Sequence, residues 1–186
     1  MPVHSLQNSF LIAMPTLHDT VFSRAVIYLC THTEHGALGV VVNHPTEHAL
    51  SDLLDTSGIS ATQDSLLSPT IFSGGPIEKQ RGLVLHSTES EWEATLNVDT
   101  SLRITTSRDI LQALAQGEGP KHHLIALGYA GWQAGQLEKE IRDNIWLTCP
   151  LDSRILFETP PEQRWQAAGA LLDIDIRMLS NQAGHA

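Results

Sequence analysis

The chain alternates short apolar runs with turn-forming residues, and the runs set its predicted elements. Residues 8–13 are an apolar run that Met14-Pro15 ends, which predicts a first strand. Residues 24–32 (RAVIYLCTH), rich in β-branched and aromatic side chains, predict a second. Thr33-Glu34-His35-Gly36 supplies a turn and residues 37–43 (ALGVVVN) return, so the two segments form a β-hairpin. Ala25, Ile27 and Leu29 fall on one face of the outgoing strand, and Val26, Tyr28 and Cys30 on the other. Two apolar faces predict a strand covered on both sides, at the centre of a sheet or inside a barrel.

Further along, residues 49–55 predict a short amphipathic helix and 56–68 a polar loop. Strands are expected over 70–73 and 82–86, separated by Gly74-Gly75-Pro76, and over 102–105. Thr106 or Ser107 caps a helix over 108–115 that Gly117 ends. A strand at 124–127, a helix at about 135–143 and strands at 145–148 and 155–157 follow. Pro160-Pro161-Glu162 opens a last helix to about residue 172. Strands cluster, with helices between the clusters, which argues for an α+β fold over a doubly wound parallel sheet. Glycine and proline corners between short strands suit a bent sheet that partly closes on itself. No repeat or composition shift divides the chain, so one compact domain over 1–186 is expected, with an ordered core of about 5–176.

Composition narrows the function classes. With 41% hydrophobic and 17% charged residues among 186, the chain folds instead of staying disordered. Eleven basic against 21 acidic residues give a formal charge of −10, with no Lys/Arg run, which argues against direct nucleic-acid binding. The start, Met1-Pro2-Val3-His4-Ser5, has no basic segment followed by an apolar one, so no secretory leader is read there. Apolar runs such as 38–42 are strand-length, far below the roughly 20 residues a bilayer needs. The two cysteines, Cys30 and Cys149, are too few for a disulfide framework, and the reading is a cytoplasmic protein.

Three stretches carry candidate chemistry. In Cys30-Thr31-His32, residues two apart on a strand share a face, so an imidazole beside the thiol would favour the thiolate of a thiol-dependent enzyme. The hairpin would then set Cys30 opposite Gly39. The competing reading is a buried cysteine acting as a small hydrophobe. The neighbouring histidines (His32, His35, His44, His86, His122, His123) lack the carboxylates or thiolates of a zinc site, so no metal is expected. The second stretch runs from Ser73 to Gly82, where Gly74, Gly75 and Arg81 would offer N–H groups and a guanidinium to an anion. Glycine corners between strands explain the same residues. The third, Gly128-Tyr129-Ala130-Gly131-Trp132-Gln133-Ala134-Gly135-Gln136-Leu137-Glu138, reads as a strand-to-helix crossover. Tyr129, Trp132, Gln136 and Glu138 would form a pocket lip, or else the rings pack on the sheet. No nucleophile elbow or Ser/His/Asp set occurs, and no cofactor motif is present.

Several blocks occur in a recognisable order: Phe10-Leu11-Ile12-Ala13-Met14-Pro15, Ile27-Tyr28-Leu29-Cys30, Gly75-Pro76 with Arg81-Gly82 and His86, and Thr105-Thr106-Ser107. Gly128-Tyr129-Ala130-Gly131-Trp132, Gly135-Gln136-Leu137-Glu138 and Asn144-x-Trp146-Leu147 complete the series. Over roughly 5–176 the chain resembles the AlgH/YqgE-like family of bacterial proteins; His35 and Cys149 lie outside the matched blocks. The resemblance implies an α+β fold with a bent, partly barrel-like mixed sheet flanked by helices, and no established activity. One family name suggests a transcriptional regulator of exopolysaccharide synthesis, which the charge would route through a protein partner. The expected function is a binding module for a protein or small polar ligand. Its surface would draw on Gly74, Gly75, Arg81, His86, Tyr129, Trp132, Gln136 and Glu138.

Overall fold

Apolar strands and capped helices place the elements of the computed structural model, which describes residues 5–179. The strands are β1 Ser9–Ala13, β2 Val26–Thr33, β3 Gly36–Val41, β4 Pro45–Ala49, β5 Thr70–Ser73, β6 Ile77–His86, β7 Thr95–Asn97, β8 Arg103–Thr105, β9 His123–Gln133 and β10 Trp146–Pro150. The α-helices are α1 Leu50–Ser57, α2 Arg108–Gln116, α3 Gln136–Arg142, α4 Ser153–Phe157 and α5 Pro161–Ala170. The chain is α+β, with a bent, mixed sheet and flanking helices, as its pattern predicts. Residues 1–4, on which most of the missing-leader reading rests, lie outside the described residues.

The described residues divide into two densely packed units, 5–43 with 130–179 and 44–129. In the first, the strand order is β10-β1-β2-β3-β9, all antiparallel, with β9 contributing Ala130 to Gln133. Burial of Val26 to Cys30 on both faces makes β2 the covered central strand its composition calls for. The expected hairpin forms, but a bulge between Leu29 and Thr31 shifts its register. Leu29, not Cys30, therefore lies opposite Gly39. The core holds Leu11, Ile27, Leu29, Val41, Trp132 and Trp146. Trp165 of α5 donates its indole N–H to Ala13 O at 2.9 Å, and Arg24 lies over its ring. Arg164 is buried and donates to the carbonyls of Thr159 and Val42, and burial lowers its guanidinium to about 10.

In the second unit β4 pairs β5, β5 runs parallel to β9, and β6, β8 and β7 follow antiparallel. Its own core gathers Leu50 and Leu54 of α1, Ile110 and Leu114 of α2, and Ile71, Val84 and Ile125 of the strands. Helix α2 begins and ends where its sequence predicts, with Gly117 in the left-handed conformation at φ 75°.

Several segments depart from the sequence reading, β4 and β7 among them, where no strand is expected. Residues 128–133 continue β9 as strand and are not a crossover. Residues 155–157 belong to helix α4, because Asp152 accepts the Arg154 N–H and starts a turn there. The strand expected at 82–86 starts earlier, at Ile77, with three extra residues of β6 looping out between Ile77 and Gly82. Gly128 allows that bulge: its φ is 77°, and a Cβ there would sit 2.5 Å from Gly75 O.

Candidate functional site

The candidates in the first unit are bound to one another. Trp132 and Trp146 are buried, stack edge to face at 6.0 Å, and both donate an indole N–H to Glu140 Oε2 at 2.8 Å. Gln136 Nε2 donates to Glu140 Oε1 at 2.9 Å, and Gln136 Oε1 accepts the Gln133 N–H at 3.0 Å. Glu140 is thus an acceptor for three donors. Trp132, one of the two rings that the sequence offers as a pocket lip, is held by α3.

His32 is buried, and both its ring nitrogens are occupied. Nδ1 accepts the Leu6 N–H at 2.9 Å, which places the proton on Nε2, where it is donated to Glu138 Oε1 at 2.9 Å. Glu138 is held below the usual carboxylate range, first by its own backbone N–H and then by the His32 bond, against some desolvation. Cys30 points its thiol at Tyr28 O, 3.5 Å away, and burial pushes that thiol far up. The sequence would place Cys30 and His32 side by side; the bulge and the His32–Glu138 bond leave His32 no nitrogen for the sulfur. Cys149 is also buried, its thiol raised to about 11 by desolvation.

In the second unit the Gly74–Gly75 corner is tied down by a bond from Gly74 N–H to Leu127 O at 2.8 Å. Arg81 is more than half exposed and pairs with Glu78 at 3.2 Å, an exposed contact worth about 0–1 kcal/mol. Tyr129 is half-buried and lies opposite Ile77. His86 is fully buried; its Nδ1–H donates to Ser87 O at 2.7 Å, which leaves Nε2 to accept from the Thr105 hydroxyl at 2.8 Å. Thr105 Oγ1 lies 2.8 Å from Thr95 Oγ1, and the Trp92 ring meets His86 edge to face at 5.0 Å. Burial holds His86 below its ordinary value.

Thr105 also belongs to the lining of a cleft of about 270 Å³. Leu53 from α1, Leu83 and Val84 from β6, Ile125 from β9, and Ile110 and Leu111 from α2 give it an apolar floor. Gln80 and the run Thr105-Thr106-Ser107-Arg108, at the junction of β8 and α2, give it a polar side. The junction is rigid. Ser107 Oγ donates to Asp109 Oδ1 and accepts the Ala94 N–H, while Asp109 accepts the N–H groups of Glu93 and Ile110. Desolvation would raise Asp109, but these hydrogen bonds outweigh it and keep the carboxyl low. Arg108 donates to Ser57 O and is otherwise exposed.

An AlgH-like family model matches residues 10–177. The chain belongs to the AlgH-like family. A UPF0301 protein of Thioalkalivibrio sulfidiphilus is 51% identical over 96% of this chain and 96% of its own length. A second UPF0301 protein, from Methylococcus capsulatus, is 48% identical over 97% and 96%. The solution structure of the AlgH protein from Pseudomonas aeruginosa superposes with a TM-score of 0.80 at 44% identity, covering 100% of this chain and 98% of that one. A crystal structure of a Corynebacterium diphtheriae protein shares the fold at TM-score 0.67 and 18% identity, over 91% of this chain and 88% of that one.

Within this AlgH-like chain, the blocks richest in glycine and tryptophan, 128–138 and 144–147, account for the closed network on Glu140. The sequence reads Gln80 and Gly82 as parts of a glycine corner and Thr106 and Ser107 as caps and as a block of the family resemblance, not as site residues. It does not bring in Arg108 or Thr105 as site residues. A run of three hydroxyl side chains and an arginine at a strand-to-helix junction is the signal that points to them. Among the described residues, no group of three or more His, Cys, Asp or Glu is placed to hold a metal ion, and no helix is long and apolar enough to cross a membrane.

Proposed function

We propose that the chain is a binding module whose cleft, in the second unit, takes a small polar ligand. The observation that carries this reading is the cleft itself: a mostly apolar lining that also includes Gln80, Thr106, Ser107 and Arg108. That is the composition of small-molecule sites, in which apolar walls supply contact area and a few fixed polar groups supply orientation. A volume of about 270 Å³ suits a molecule of modest size. The polar side offers donors, so the ligand carries an acceptor group, such as a carboxylate, on a short apolar body. A regulatory role would follow if ligand occupancy changed what a protein partner meets, and the net charge of −10 favours such a route over contact with DNA.

N-acetyl-L-leucine, a carboxylate on an aliphatic body, is a suitable probe. Calorimetric titration of the wild type should show saturable binding, and Arg108→Ala should weaken it at least about fivefold, the loss of one charge-assisted hydrogen bond. The thermal midpoint of Arg108→Ala should stay within a few degrees of wild type, since the side chain is exposed. Binding that is absent, or unchanged in the variant, contradicts the proposal.

A further inference from the structure

A second cavity, of about 170 Å³, lies in the same unit and shares no lining residue with the cleft. Leu50, Leu66, Pro69 and Leu114 supply its apolar walls. Gly119 is part of the lining and packs close: a Cβ there would sit 2.4 Å from Leu114 Cδ2, so a side chain would displace Leu114. Two of the lining residues are tied together by the Leu50 N–H, which donates to Pro69 O at 2.9 Å.

His123 is the one lining residue with a polar side chain. Its Nδ1 lies 3.3 Å from Pro120 O, and a carbonyl can only accept, so the ring proton is on Nδ1. Nε2 is then a lone-pair acceptor with no hydrogen-bond partner among the described residues. Desolvation lowers the pKa of His123, outweighing the Pro120 hydrogen bond that raises it, and neighbouring His122 adds to the lowering, so the ring is neutral at pH 7. No lining residue then carries a charge. Such a site disfavours an anion, which would find no cation there, and rewards a donor hydroxyl mounted on an apolar body.

We propose that this cavity is a binding site for a small neutral aromatic donor, of which phenol is the simplest, with the ring among the leucines and the hydroxyl donating to His123 Nε2. The volume is of the order that holds a benzene ring, since an enclosed leucine-lined cavity of about 150 Å³ accepts benzene, and this pocket is in addition open to solvent. This inference does not depend on the cleft being occupied.

The test uses the full chain, methyl-labelled at leucine, titrated separately with phenol, toluene and benzoate. Phenol should shift the Leu50, Leu66 and Leu114 methyl resonances and bind at least about fivefold more tightly than toluene, the value of one neutral hydrogen bond. Benzoate should leave those resonances still. His123→Phe keeps a ring but removes the acceptor, and should bring phenol down to the toluene level without weakening toluene. Leu66→Trp, which fills the cavity, should abolish both. Equal affinities for phenol and toluene in the wild type overturn the proposal, and that comparison holds even if a variant does not fold. Absence of any leucine methyl shift, or phenol binding unchanged in His123→Phe, overturns it as well.

Discussion

The two units treat their polar side chains differently. In the first, the side chains beside the aromatic core close on one another. Glu140 accepts from both indole N–H groups and the Gln136 amide, and Glu138 accepts the hydrogen bond of His32 Nε2–H. In the second, the polar groups are also held by neighbours, but several face open volume. Thr105 through Arg108 side a cleft, and His123 keeps an unused nitrogen at a cavity. The contrast separates two reasons for an unusual sequence. The glycine- and tryptophan-rich stretch is explained by folding, whereas the run Thr105-Thr106-Ser107-Arg108 lines the cleft.

The largest expected effect is in the first unit. Glu140→Leu leaves two buried indole N–H groups without an acceptor, and urea unfolding should show a loss of about 2–4 kcal/mol, since each unsatisfied buried donor costs about 1–3. Glu140→Gln, which keeps an acceptor oxygen, should lose less than half of that. Equal losses in the two variants would mean that the indole bonds contribute little.

Next in size is Thr105→Val, which preserves shape but takes the hydroxyl from His86 Nε2. A loss of about 1–3 kcal/mol is expected. A variant as stable as wild type would show that the His86–Thr105–Thr95 chain is slack and that the cleft wall does not depend on it.

A smaller effect distinguishes the units by pH. His86 and His123, both in the second unit, are lowered from 6.5, chiefly by burial. The unfolded chain therefore binds these protons first. Their contribution to stability is full above about pH 6.5 and is lost as pH falls through the lowered folded values. The carboxylates lowered in the fold, such as Glu138, lose their contribution only below their ordinary 4.5. Urea unfolding at pH 7.5 and 5.5 should differ by about 1 kcal/mol, with the slope reduced in His123→Phe. A flat profile across this window would mean that neither imidazole is desolvated.

Much of the fold was legible because its signals are local. The 24–43 hairpin and α2 carry alternation, periodicity and caps within a dozen residues, and they form where expected. Glycine misled at 128–135. Read as loop signals, Gly128 and Gly131 sit inside β9, where close approach of the β6 corner, not chain reversal, calls for Gly128. Strands β4 and β7 carry little apolar pattern, because they are short edges whose side chains are mostly exposed. At 155–157 a three-residue apolar run fits strand or helix equally, and the Asp152 cap decides. The cleft was the least legible part. Leu53, Gln80, the run Thr105 to Arg108, and Ile125 are far apart in the chain, and the β6–β8 and β6–β9 registers and the seating of α1 and α2 bring them together.

The central claim is that the tryptophan motif of the first unit serves folding while the cleft of the second unit binds. Amide and indole N–H shift mapping of the ¹⁵N-labelled chain during titration with N-acetyl-L-leucine tests it most directly. The account predicts shifts that saturate at Leu53, Thr106, Arg108, Ile110 and Leu111, while the indole N–H resonances of Trp132 and Trp146, locked on Glu140, stay in place. Saturating movement of those two indole resonances, with the cleft amides unmoved, would contradict it.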